Sequence, residues 1–175
     1  QRCPACLASL TAKAGMDAMA GTQIVLPNRT LTEGDVLRVG RQRLRVMRVE
    51  QGHTEGDLVL WSARQRVLWA GGLVYGERLP ELAQGRVDGW LAALDRLAAL
   101  RPRVVVSNVV SHAAVPGSLP PDLTSTRRYL SDLRSGVLQA MDQGQQASDA
   151  TVVDLPAYRS WAGHSERQGF NAQRA

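Results

Sequence analysis

The sequence predicts an α/β chain: a mostly antiparallel sheet of about five or six strands with helices stacked on one face. Three observations carry this. Between residues 22 and 71, apolar residues recur at every second position in short runs broken by Gly-, Asn- and Thr-containing turns. Near residue 85 the apolar period lengthens to that of a helix. Residues 103–110, RVVVSNVV, form a continuous apolar run, as expected of a strand covered on both faces.

The elements follow in order. Residues 1–20 read as an N-terminal helix, with Cys6, Leu7, Leu10 and Ala14 at helical spacing and Gly15 loosening its end. Residues 22–71 read as strands: TQIVLP, DVLRVG, QRLRVMRVE, DLVLWS and RVLWAGGLV, separated by NRTLTEG, Gly40, QGHTEG and ARQ. The last two runs form a hairpin, and Trp61 and Trp69 are expected to pack as a pair across it. Residues 86–146 read as helix, strand, helix. The first helix aligns Val87, Trp90, Leu91, Leu94, Leu97 and Leu100, and Pro102 ends it. The second, at about 124–146, is capped by Asp122 or Thr124 and turns Tyr129, Leu130, Leu133, Val137 and Met141 inward. Residues 147–175 are left as a C-terminal tail, with His164 at the surface, and 1–175 is read as a single domain.

Composition narrows the classes. At 175 residues with 44% hydrophobic content, the chain is long enough to bury one core. No run of about 18 apolar residues exists to span a bilayer. The opening QRCPACLASL lacks the charged-then-apolar plan of a secretion signal, so any such signal is expected upstream of it. Cys3 and Cys6 form a Cys-x-x-Cys pair without a second pair to complete a structural zinc site, and read as a bystander pair or a local disulfide. The net charge is +5, with 20 arginines and one lysine. Arg41, Arg43 and Arg45 alternate along one strand and share a face, which can contact phosphates. That makes a nucleic-acid-binding module one reading. With no aromatic residue interleaved to stack bases, a solvated outer face is preferred, and nucleic acid is not expected as a partner.

The order of elements, together with GHTEGDLVLW, VLWAGGLVYGERLP and LRPRVVVSNVVSHAAV, resembles the C-terminal half of a metallo-β-lactamase-fold hydrolase. The resemblance runs from about Gly21 to the end and looks closest to the periplasmic zinc metallohydrolase-like branch associated with quinoprotein systems. It implies half of an αββα sandwich, a periplasmic setting, and one or two zinc ions held between two halves. In such proteins the first half supplies a His-x-His-x-Asp-His loop. The second supplies a histidine from a Gly-His-Thr turn, an acid after a strand ending Ala-Gly-Asp, and a histidine from a Pro-Gly-His-Gly loop. A zinc-bound hydroxide then attacks the substrate.

Carried onto this chain, His53 takes the turn position and His112 the last histidine position, so both stand as inherited metal positions. The acid position falls on Gly72, a degenerate ligand position without a side chain. Glu55 and Asp57 flank His53, either as partners orienting its ring or as turn-capping groups. The His-x-His-x-Asp-His motif is absent from these 175 residues. The expectation is therefore a non-catalytic or incomplete domain with no catalytic residue and no cofactor of its own. Its role is structural or in interaction, its open sheet face covered by a second copy or a missing N-terminal half. The alternative is a zinc-dependent hydrolase, should an N-terminal half complete the site.

Overall fold

A computed structural model describes residues 3–107, 111–114, 116–146, 149 and 153–175. These fall into two compact units, 1–31 and 32–175. The first unit holds α1 (Cys3–Ala14). Gly15, at φ +87°, ends that helix six residues before the expected boundary, a left-handed turn that glycine adopts without strain. Cys6 is exposed with a free thiol. The TQIVLP run, expected as a strand, pairs with no strand among the described residues, and Val25 and Leu26 are exposed. Strand propensity without a ladder partner does not make a strand.

The second unit is built on a six-stranded sheet in sequential order: β1 (Val36–Val39), β2 (Gln42–Val49), β3 (Asp57–Ser62), β4 (Val67–Gly71), β5 (Val104–Ser107) and β6 (Ser111–Ala113). Every neighbouring pair is antiparallel except β4 and β5. Between those two runs the crossover helix α2 (Val87–Ala99). Of the expected strand 103–110, Val104–Ser107 forms β5 and 108–110 lie outside the described residues; SHA, expected as loop, forms β6.

Register sorts the side chains. Met47 pairs with Val59, Trp61 with Leu68, and Leu68 with Val105, so these share one face. All are buried in one core with Trp90, Leu94 and Leu97 of α2 and Leu123, Leu130 and Leu133 of α3 (Pro121–Asp142). Leu60 pairs with Trp69, and Trp69 with Val106, on the opposite face, where all three are only half-buried and Leu58 is 40% exposed. The helices therefore cover one face, as expected. The tryptophan pairing is corrected by the same register: Trp61 and Trp69 point to opposite faces because their partners are Leu68 and Leu60.

Helix α3 starts at Pro121 with Pro120 in the capping position, three residues before the expected start, because proline suits the first helical turn. Its stripe buries Tyr129, Leu130, Leu133 and Val137, but Met141, in the last turn, is 52% exposed. The expected tail carries a 3₁₀ turn (Pro156–Tyr158) and α4 (His164–Arg174). Helix α4 is pinned by Asn171, whose amide donates to the Pro80 carbonyl at 2.8 Å and to the Tyr129 hydroxyl at 2.9 Å. A polar surface pattern hid this helix, since only Gln168, Asn171 and Ala172 are buried.

Candidate functional site

The QGHTEG turn joins β2 to β3 at one end of the sheet. Asp57, the first residue of β3, shapes it: its carboxylate accepts from the Thr54 amide at 2.9 Å and from the Thr54 hydroxyl at 2.7 Å. Gly52 is required by crowding. A Cβ there would stand 2.6 Å from Leu73 Cδ2 and 2.8 Å from Asp57 Oδ2. The Gly52 carbonyl accepts from the Arg86 amide at 3.1 Å, and Gly89 of α2 lies against the Gln51 carbonyl. The turn is thus clamped between β3 and the start of α2.

That clamp fixes His53. Its Nε2 lies 3.2 Å from the Tyr75 hydroxyl. Its Nδ1 faces Asp57 Oδ1 at 3.9 Å, an electrostatic neighbour beyond hydrogen-bond distance. Its ring meets the edge of Trp90 at 5.5 Å between centroids, and Tyr75 completes the cluster. Trp90 is fully buried and donates through Nε1 to the Leu73 carbonyl at 2.9 Å. Tyr75 is held from the other side, its amide donating to Thr126 Oγ1 at 3.0 Å. Burial pushes the Tyr75 phenol pKa up, and the nearby Glu81 charge adds to this. The phenol therefore keeps its proton at neutral pH and shares a hydrogen bond with His53 Nε2, whose direction is set by the imidazole tautomer.

Gly72 follows β4 directly, and the sheet brings it against the same imidazole: a Cβ on Gly72 would stand 2.7 Å from His53 Nδ1 and 3.1 Å from Cε1. His53 and Gly72 are therefore adjacent in space although 19 positions apart in sequence. Glu55 is exposed and makes no ion pair or hydrogen bond among the described residues, whereas Asp57 caps the turn and lies beside Nδ1. His112 stands on β6 opposite Val105, and its side chain lies outside the described residues. His164 is half-buried at the start of α4 rather than at the surface, because the helix docks.

The described residues do not by themselves fit a zinc site. Gly72 offers no donor, His53 Nε2 lies within hydrogen-bond distance of the Tyr75 hydroxyl, and among the described residues no three His, Cys, Asp or Glu side chains converge. Sequence reasoning singled out His53 and Gly72, did not name Tyr75 and assigned Trp90 only to a core stripe. The available signal was the bracketing of LVY by Gly71, Gly72 and Gly76 immediately after a strand.

No family model matches the chain. Over 87 residues it is 33% identical to the acyl-coenzyme A thioesterase MBLAC2 of Gallus gallus, covering 49% of this chain and 31% of that protein. Against the Homo sapiens protein of the same name the figures are 32% over 89 residues, 50% and 32%. The chain spans about a third of the length of these curated relatives. Among solved structures, a metallo-β-lactamase from Pontibacter korlensis is 26% identical over 70% of this chain and 55% of that one, with a TM-score of 0.48. The inverting sec-alkylsulfatase Pisa1 from Pseudomonas sp. covers 86% of this chain and 26% of its own at 18% identity, with a TM-score of 0.60. The chain carries part of the metallo-β-lactamase fold and falls in that fold superfamily. Within it, the resemblance is to hydrolases.

Proposed function

We propose that this chain is a metallo-β-lactamase-like half-domain without a working metal site, used for assembly rather than catalysis. The observation that carries this is Gly72 packed against His53, where relatives of this fold are expected to place a ligating acid. One imidazole, already bonded to Tyr75, falls short of the three protein ligands that catalytic zinc uses.

The partner is inferred from the sheet face turned away from α2 and α3, which is only partly covered: Val46 there is fully buried, whereas its neighbours keep apolar surface. Leu58, Leu60, Trp69, Val104 and Val106 present apolar surface from three strands on the side away from α2 and α3. An apolar face of this kind marks a contact surface. Its occupant is an N-terminal half of the same fold or a second copy of this chain. Sedimentation equilibrium tests this: association is expected, and Trp69→Glu, which puts a charge in the centre of that face, weakens it at least tenfold. A monomer across the whole concentration range, unchanged by Trp69→Glu and by addition of an N-terminal half, contradicts it.

A second reading is favoured by the presence of His53 and the local identity to a thioesterase. If an N-terminal half supplies the His-x-His-x-Asp-His loop, His53 joins that loop at a single zinc, and an acyl-CoA thioester is the substrate class to assay. Zinc-dependent thioester hydrolysis by the two halves together, lost in His53→Ala, supports it; hydrolysis absent at every zinc level opposes it.

A further inference from the structure

Taken alone, Arg41, Arg43 and Arg45 read as a solvated face. The fold adds arginines from other segments to the same place. Arg38 pairs directly with Arg43 across β1 and β2, on one face of the ladder. Like charges set opposite each other destabilise an antiparallel pair unless an anion lies between or over them. Arg41 sits in the exposed turn between those strands. Arg45 pairs with Trp61, which places Arg43 past the end of β3, beside the 63–66 turn that carries Arg64 and Arg66. Val67 pairs with Val104, and the Arg103 amide donates to the Arg66 carbonyl at 2.7 Å, so Arg101 and Arg103 arrive at the same end of the sheet. This is the end opposite His53, since β3 starts and β4 finishes at the histidine turn.

Two further observations set this end apart. Residues 36–49, 58–76 and 96–121 contain no Asp or Glu, so the strands and turns that build it bring no acid. Of these arginines Arg45 has an ion pair, with Glu33 at 3.5 Å; Arg38, Arg41, Arg43, Arg64, Arg101 and Arg103 have no acidic partner among the described residues. Arg66 and Arg101 also hold left-handed backbone, at φ +55° and +52°, a conformation that L residues rarely adopt. Arg66 Nε donates to the Arg101 carbonyl at 2.8 Å, locking the two turns together.

We propose that this arginine end of the sheet docks the phosphate backbone of a nucleic acid. Guanidinium groups take phosphate oxygens in paired hydrogen bonds. Spread over five strands about 4.8 Å apart, they form a row of roughly 20 Å, which a continuous phosphate chain matches at any register. An acidic protein would have to place carboxylates opposite four separate segments. A bilayer would need more apolar surface than the exposed Val36 and Val39 offer. No exposed aromatic residue stands in these segments among the described residues, so contact is to backbone and without base preference.

The test is fluorescence anisotropy with a labelled duplex of mixed sequence, about 24 base pairs long, titrated at several salt concentrations between about 50 and 300 mM. The triple variant Arg41→Ala, Arg43→Ala, Arg64→Ala is expected to flatten the slope of log affinity against log salt by roughly 3, about 0.9 for each phosphate no longer neutralised. A charge-matched control, Arg78→Ala, Arg86→Ala, Arg128→Ala, is expected to leave the slope unchanged. Circular dichroism verifies folding; if the triple variant unfolds, Arg41→Ala in the exposed turn alone is expected to lower the slope by about 1. No duplex binding at low salt, equal slope changes in both triple variants, or binding to phosphatidylserine vesicles in place of the duplex would each overturn the proposal.

Discussion

Gly72 lies against the imidazole of His53, close enough that a single added carbon would stand 2.7 Å from Nδ1. The sheet thus sets a position without a side chain directly beside the turn histidine. A side chain at position 72 would meet the ring of this histidine, which turns its Nε2 to Tyr75. Placing an acid there consequently disturbs the contact. In Gly72→Asp the ring must move, the Tyr75 bond breaks, and stability falls by about 1–3 kcal/mol, as for other overpacked sites. Urea denaturation is the measurement, and a variant as stable as the parent would show that the ring moves freely.

The Tyr75 hydroxyl is expected to contribute about 1 kcal/mol through His53, the usual net worth of one hydrogen bond. Tyr75→Phe should lower stability by that amount. It should also shift the His53 side-chain nitrogen resonances, which respond to the tautomer. Unaltered nitrogen shifts would mean that the phenol does not hold the ring.

All three tyrosines are expected to titrate above the ordinary range. Burial raises Tyr75, carries Tyr129 to about 12, and with the adjacent Asp132 carboxylate raises Tyr158 further. The folded-state pKa exceeds the unfolded value in each case, so the folded state holds the proton more tightly. The associated stability is complete below pH of about 10 and is lost as pH rises through the folded values. Absorbance near 295 nm should show little tyrosinate in the folded protein at that pH, then a rise coincident with unfolding. A smooth titration centred near 10 with the fold intact would contradict this.

Gly89 sets two effects against each other. Replacing a helical glycine by alanine favours the helix by about 1 kcal/mol. Here the new Cβ would overlap the Gln51 carbonyl, a backbone atom that cannot swing away as a side chain can. Overpacking costs more than the helix gains, so Gly89→Ala is expected to destabilise by about 1–2 kcal/mol net. Thermal melting decides the sign, and a higher midpoint would mean the turn is looser than its packing indicates.

The strands and α2 were legible because burial on one face imposes a period that the residues must follow, as Met47, Val49, Val59 and Trp61 do. TQIVLP has a similar composition but no strand partner among the described residues, so its pattern did not translate into a strand. Pairing offset was not legible either, and the tryptophans ended on opposite faces by one residue of register. Helix α4 escaped because it docks through Gln168 and Asn171, polar residues that read as surface. At the site, His53 and Gly72 were recoverable from a resemblance. Tyr75 was not, because its position depends on how the 72–76 loop docks on Thr126, a residue 51 positions away.

The most direct test of the central claim is the zinc content of the chelator-washed protein after dialysis against the metal, for the parent and for His53→Ala. With Gly72 offering no ligand and Nε2 engaged by Tyr75, both are expected to hold far less than one zinc per chain, at indistinguishable levels. One zinc per chain in the parent, absent from His53→Ala, would contradict the account and return His53 to a working metal site.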